Sequence, residues 1–366
     1  MSAPTTEKDA RDVTLSPADT NPSVSQARAG HERLARLWRR GRDFLGVDHA
    51  IMGGAMTWVS ERTLVAAISN AGGFGVIACG AMSPDLLAAE IRATRALTDR
   101  PFGVNLITLH PQLDDLIEAC RAERVSHIVL AGGLPPGDAI ARIKDFGAKL
   151  MCFAPARALA RKLVRSGVDA LIIEGAEAGG HIGPVSTAVL AQEILPDMRD
   201  VPVFVAGGIG RGEAIATYLE MGAAGCQLGT RFVCAEESTA HANFKKAFIR
   251  AAARDAVPSV QLDQRFPVIP VRALKNRATE DFMARQRELI GRVNGGELEP
   301  AAAQLEIEHF WAGALRRAVV DGDVESGSLM AGQSVGLVTG EQPMAQIFKE
   351  LIGQAADHLE RSAAVA

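Results

Sequence analysis

The chain has 366 residues, of which 48% are apolar and 22% charged, and a formal net charge of −4. That length fits one barrel of about 250 residues with appended segments better than two equal domains. The small negative charge gives no electrostatic reason to expect nucleic acid or anionic lipid as a partner. No apolar run reaches the roughly 20 residues of a membrane span, and none follows the N-terminus as a signal-peptide core. The expected partner is a small molecule, and the expected location is cytoplasmic. Cys79, Cys120, Cys152, Cys226 and Cys234 form no CxxC pair and no cluster with histidine, so neither a disulfide nor a metal site is expected. Cys152 and Cys226 lie inside apolar runs and read as small buried hydrophobes.

Taken in chain order, residues 1–27 are rich in Ser, Thr, Pro, Asp and Ala and read as a disordered tail. Residues 28–42 then set arginines around Leu34, Leu37 and Trp38, the spacing of a solvated basic helix with one apolar face. From His49 short apolar runs alternate with helical patterns. The strands are expected at 50–53, 75–78, 103–107, 127–131, 150–154, 170–174, 203–206 and 226–228. The helices between them are expected at 60–71, 84–97, 112–122, 137–146, 156–166, 186–195 and 213–221. Eight such units make an α/β fold of the TIM (β/α)8 barrel type. An open doubly wound sheet shares the local signals, but no GxGxxG with a later acidic residue follows the first strand. After Phe232 the rhythm stops. The division is therefore a barrel core with its N-terminal helix at 28–236, a helical insertion or cap after strand eight at 237–320, and a segment at 321–366 that completes wall and site. The cap has a polar middle at 293–299 and a proline-broken run from Phe266 to Val271, unsuited to a central strand. The last segment carries GSLMAGQSVGLV and ends in a helix at 344–359 that should cover the barrel wall.

Two glycine turns follow the last two strands, Gly207-Gly208 and Gly229-Thr230. Either alone could be an ordinary turn. Together they match the phosphate site that barrels build after strands seven and eight, where bare backbone N–H groups approach an anion. The loops after the other strands are also glycine-rich, which suits a large flat ligand lying against main chain. Within the loop Gly179-Gly180-His181, His181 is a titratable base at a strand's C-terminal end and the expected catalytic residue. His110, after the third strand, is the runner-up. His31, His241, His309 and His358 fall in helical patterns. A phosphate site with one base and no metal cluster points to flavin mononucleotide, its ring lying beside Met56, Asn105 and His181. A phosphorylated substrate without flavin is the alternative.

The runs NAGGFGVI, PFGVNL, EGAEAGGHIG, VAGGIGRGE, QLGTRF and GSLMAGQSVGL, in this order, resemble the nitronate monooxygenase family, formerly the 2-nitropropane dioxygenases. That family also holds the FMN-dependent enoyl-acyl-carrier-protein reductase II. The resemblance spans about 47–359 and implies a TIM barrel holding FMN, with His181 as active-site base. It also implies FMN contacts at Met56, Asn105, Gly180, Gly207, Gly208, Gly229, Thr230 and Gln333. The motifs GGHIG, GTRFV, VRALKN and MAGQ look like the reductase branch, and no basic residue follows the histidine. The first strand departs from that branch: Ala50, Gly53 and Ala55 stand where reductases usually carry Pro and the Gln-Gly-Gly run. The expected activity is nitronate oxidation by dioxygen to a carbonyl compound and nitrite. The alternative is enoyl-thioester reduction with NAD(P)H as electron donor. A barrel that senses or stores a phosphorylated ligand is a third possibility. A homodimer is the assembly considered.

Overall fold

The structure, a computed structural model, describes residues 22–263 and 270–365. The sequence up to residue 21 and most of the proline-broken run, 266–269, lie outside the described residues.

The strands are β1 (Ile51–Gly53), β2 (Gly75–Ala78), β3 (Phe102–Ile107), β4 (His127–Ala131), β5 (Lys149–Phe153) and β6 (Ala170–Glu174), then a two-residue β7 (Gly180–His181) that leaves the barrel, then β8 (Val203–Ala206) and β9 (Gly225–Leu228). All but β7 form one parallel sheet in the order β1-β9-β8-β6-β5-β4-β3-β2. A parallel bridge between Met52 and Phe74 closes it, with Gly53 N donating to Phe74 O and Phe74 N to Ile51 O, both at 2.9 Å. The expected TIM (β/α)8 barrel is the fold.

Strand periodicity sorts the side chains into two cores. Ile128, Leu130, Leu171, Ile173, Val203 and Val205 face outward to the helices, while Val129, Met151, Ala170, Ile172 and Phe204 fill the interior. The floor is closed by the helix Arg39–Leu45. Its Leu45 is fully buried in the interior cluster, and its Phe44 carbonyl accepts from Lys149 Nζ and lies 3.0 Å from His127 Nε2.

The basic segment differs from its expected form. It is two helices, Pro22–Leu37 and Arg39–Leu45, broken at Trp38. The second is pressed onto the barrel rather than solvated: a Cβ at Gly41 would lie 2.1 Å from Ala224 O. The cap also differs from a purely helical insertion. Its strands β10 (Ala256–Pro258) and β11 (Val271–Leu274) pair with each other and β11 pairs with β7, all antiparallel. Three or four residues beside prolines are too few to show a strand period. The cap helices Ala242–Arg250, Arg277–Asn294 and Pro300–Val319 follow the helical reading, and Phe282, Leu289, Ile307 and Trp311 form a small core of their own. The last helix, Met344–Val365, lies against the helices Gly212–Glu220 and Pro22–Leu37, with Gly212 N donating to Gln354 Oε1 at 2.8 Å. Among the described residues no helix is long and apolar enough to cross a membrane.

Candidate active site at the barrel mouth

The turn after β8 is held open by backbone conformation. Gly207 and Gly208 have φ of +97° and +71°, in the left-handed region that a side chain disfavours. A Cβ at Gly207 would also lie 2.9 Å from Thr187 Oγ1 and 3.0 Å from Gly175 O. The turn after β9 is neither strained nor crowded. Gly229 has φ of −115°, and a Cβ there would come 3.4 Å from Met56 Sδ. Thr230 then opens a 3-10 turn, Thr230–Phe232, and its Oγ1 accepts from Gly332 N at 2.9 Å, leaving the hydroxyl proton to donate.

Glu177 ties these turns to the C-terminal segment. Its Oε2 accepts from Thr187 N at 2.8 Å and Thr187 Oγ1 at 2.9 Å, its backbone carbonyl accepts from Gln333 N at 2.9 Å, and its Cβ is 3.0 Å from where a Cβ at Gly208 would stand. A Cβ at Gly179 would meet Gly332 N at 2.6 Å, so these two main chains cross with no room for a side chain. Gly180, at φ +79°, faces Met330. This network gathers Met56, Gly180, Gly207, Gly208, Gly229, Thr230 and Gln333 at one mouth. Asn105 stands across it on β3, buried, with Nδ2 donating to Val129 O at 3.2 Å.

His181 is exposed on β7, and its position is set by the cap: Val271 pairs with His181 and Arg272 with Gly180. Arg272 is buried beneath this loop, its Nε donating to Ala176 O at 2.8 Å and its Nη1 to Ala256 O at 2.5 Å. Burial lowers the Arg272 pKa against the pull of Glu177. Ile182, the next residue, is itself buried, and its N–H donates to Pro270 O at 2.9 Å. The runner-up His110 is committed to a turn: its Nδ1 accepts from Gln112 N at 3.1 Å, and burial lowers its pKa. His241 caps a helix rather than lying within one, accepting from Asn243 N at 3.1 Å.

Sequence reasoning missed three residues here. Glu174 and Gln227 follow the inward period of their strands and, with Asn105, make a polar layer over the apolar interior; Glu174 pairs in register with Ala206, and Ala206 with Gln227. The Glu174 carboxyl has no hydrogen-bond partner among the described residues, and burial pushes its pKa up to about 8. Its signal was visible: an acid closing an otherwise apolar strand. Trp58, in the loop after β1, holds φ of +68°, an outlier for a bulky residue, with its indole N–H buried and unpartnered among the described residues and the Arg316 guanidinium 5.8 Å over its ring. Nothing in the sequence marks it. All five cysteines are buried free thiols, and among the described residues no group of three His, Cys, Asp or Glu could hold a metal.

Glycine turns, a strand-held histidine and an inward polar layer at the strands' C-terminal ends are the parts from which a barrel enzyme builds a site at its mouth. The chain belongs to the nitronate monooxygenase family, which it matches over residues 39–124 and 112–354. It is 31% identical over 352 residues to the (3aS,4S,5R,7aS)-5-hydroxy-7a-methyl-1-oxo-octahydro-1H-indene-4-carboxyl-CoA dehydrogenase of Mycobacterium tuberculosis, covering 88% of this chain and 97% of that one. It is 32% identical over 257 residues to a nitronate monooxygenase of Paraburkholderia phytofirmans, covering 57% and 70%. The structure of FabK from Thermotoga maritima superposes with a TM-score of 0.80 at 36% identity, covering 89% of this chain and 99% of that one. The chain is an oxidoreductase, of a family generally dependent on flavin.

Proposed function

We propose that this chain is an FMN-dependent oxidoreductase acting on an acyl thioester, with His181 as its proton-transferring base. The observation that carries the thioester is the surroundings of His181. The following residue is the buried Ile182, and Arg272, on the paired strand, donates to two backbone carbonyls. A nitronate is an anion and favours a free cation beside the histidine, and among the described residues neither of these neighbours supplies one; a thioester is neutral. The Mycobacterium tuberculosis relative, whose length this chain nearly spans, is named for a CoA thioester.

The residues fit FMN. The cradle of Gly207, Gly208, Gly229 and Thr230 suits its phosphate, because Gly207 and Gly208 hold a left-handed turn with bare backbone and a Cβ at Gly207 would crowd Thr187 and Gly175. Met56, Asn105, Gly180 and Gln333 would hold the rest, at the mouth that Glu174 and Gln227 line. Bound there, FMN supplies a hydride donor or acceptor. His181 takes the proton from the carbon next to the thioester carbonyl, or returns it. The cap strand β11 fixes the backbone that presents the imidazole. NAD(P)H is the proposed electron donor in the reducing direction.

Nitronate oxidation is the second reading, favoured by the Paraburkholderia phytofirmans relative. Anaerobic titration of the FMN-loaded protein separates them. Recolouring of NAD(P)H-bleached flavin by an enoyl-CoA, or bleaching by a saturated acyl-CoA, supports the thioester. Bleaching by propane 2-nitronate with no response to either thioester overturns it. A colourless protein that refuses added FMN overturns both.

A further inference from the structure

On a chain of net charge −4, the elements around β10 and β11 carry four exposed basic residues, Arg250, Arg254, Lys275 and Arg277. None of the four makes an ion pair among the described residues. They come together because β10 and β11 run antiparallel, Ala256 beside Leu274, and because Lys275 N donates to Asp255 O at 3.2 Å. Asp255, the acid between them, turns its carboxylate onto Ala252 N at 2.8 Å; Glu280 and Asp281 are the exposed acids near the start of the following helix. The cluster adjoins the mouth on two sides. The short turn Ala253–Asp255 packs on Gln333–Leu337, where a Cβ at Gly336 would lie 2.8 Å from Ala253 N, and Gln333 is tied to Glu177. Along β11, Lys275 is four residues beyond the partner of His181, about 13 Å of extended chain. The other basic hollow, about 420 Å³ at the barrel floor, has Arg95 and Arg100 already paired with Glu123 and Asp48.

We propose that Arg250, Arg254, Lys275 and Arg277 seat the phosphorylated nucleotide end of a coenzyme A thioester, whose pantetheine arm reaches along β11 to His181. This rests on the thioester reading and adds the carrier. Four unpaired cations beside a catalytic mouth attract a multiply charged phosphate group, and the attraction weakens with salt. The distance to His181 suits a flexible arm between anchor and reacting carbon.

The test compares crotonyl-CoA with the N-acetylcysteamine thioester of crotonate, which keeps the acyl group and lacks the nucleotide, on FMN-loaded wild type and the double variant R254E/K275E. Both side chains are exposed and their change should leave flavin content and melting temperature unaltered. The expected result is a KM for crotonyl-CoA raised at least tenfold, with kcat and both constants for the truncated thioester unchanged. Titration calorimetry with free coenzyme A should show a matching loss, and wild type should bind dephospho-CoA more weakly than coenzyme A. An unchanged crotonyl-CoA KM overturns the seat, and so does a variant that discriminates only against a crotonyl-acyl carrier protein, which would make the cluster a protein-docking face. Failure of wild type to use either small thioester overturns the thioester reading itself, and coenzyme A binding then decides the seat alone.

Discussion

The two ends of the barrel use the same inward strand positions to opposite purposes. At the floor, His127 and Lys149 point inward and are satisfied within the chain, both meeting the Phe44 carbonyl of the helix that plugs the barrel. At the mouth, Glu174 and Gln227 occupy equivalent inward positions and meet no plug. Polar groups satisfied internally hold a fold together; polar groups left with capacity at a concave end await a ligand. The difference lies in what covers each end. A helix with Leu45 fully buried seals one, and glycine turns with a strand-held histidine leave the other open.

Four experiments can break or sharpen this contrast. The largest expected effect is at the mouth: His181→Ala should lower turnover about 100-fold or more while flavin binding and melting temperature stay as in wild type, since the imidazole is exposed. Loss of flavin in that variant would show that His181 holds the fold or the cofactor instead. At the floor, Leu45→Ala should cost about 2–5 kcal/mol of stability by denaturant unfolding, with turnover per folded molecule unchanged. A fall in turnover without a fall in stability would make the floor part of the site.

The third is a pair of opposite pH dependences. Burial lowers the His127 pKa to about 4, so the native floor resists protonation. The stability this gives is full above about 6.5 and is lost as pH falls through about 4, up to about 3 kcal/mol in all. Glu174 runs the other way, because its folded pKa is raised to about 8. The native protein keeps that proton, so its contribution is full below about 4.3 and is lost as pH rises through about 8. Glu174→Gln should flatten the alkaline decline of apoprotein stability and leave the acidic decline intact. Equal slopes for the variant and wild type between pH 5 and 8 would show the carboxyl to be solvated. The smallest effect is expected from Trp58→Phe, which keeps the ring beneath Arg316 and removes the buried N–H: about 1 kcal/mol or less of stability, by melting temperature. A loss of several kcal/mol would mean that the indole N–H has an internal partner.

The sequence by itself determined the barrel. Eight apolar runs such as Ala170–Glu174 and Val203–Ala206 alternate with helical patterns, and a period of two against 3.6 is local information that any stretch of chain carries. It also determined the glycine turns, because Gly207 and Gly208 are required by a backbone conformation that few other residues adopt. Only the tertiary structure decided what those elements meet. That Val271 pairs with His181 across 90 positions, that Arg272 lies under the histidine loop, and that Trp38 breaks one basic helix into a piece packed on the last helix and a floor plug are outcomes of packing between distant segments. Strands as short as β7 and β11 have no period to read, and the inward direction of Glu174 and Gln227 becomes visible only once the sheet has closed. Contacts made across a closed barrel depend on which surfaces are left to cover, and no local pattern encodes that.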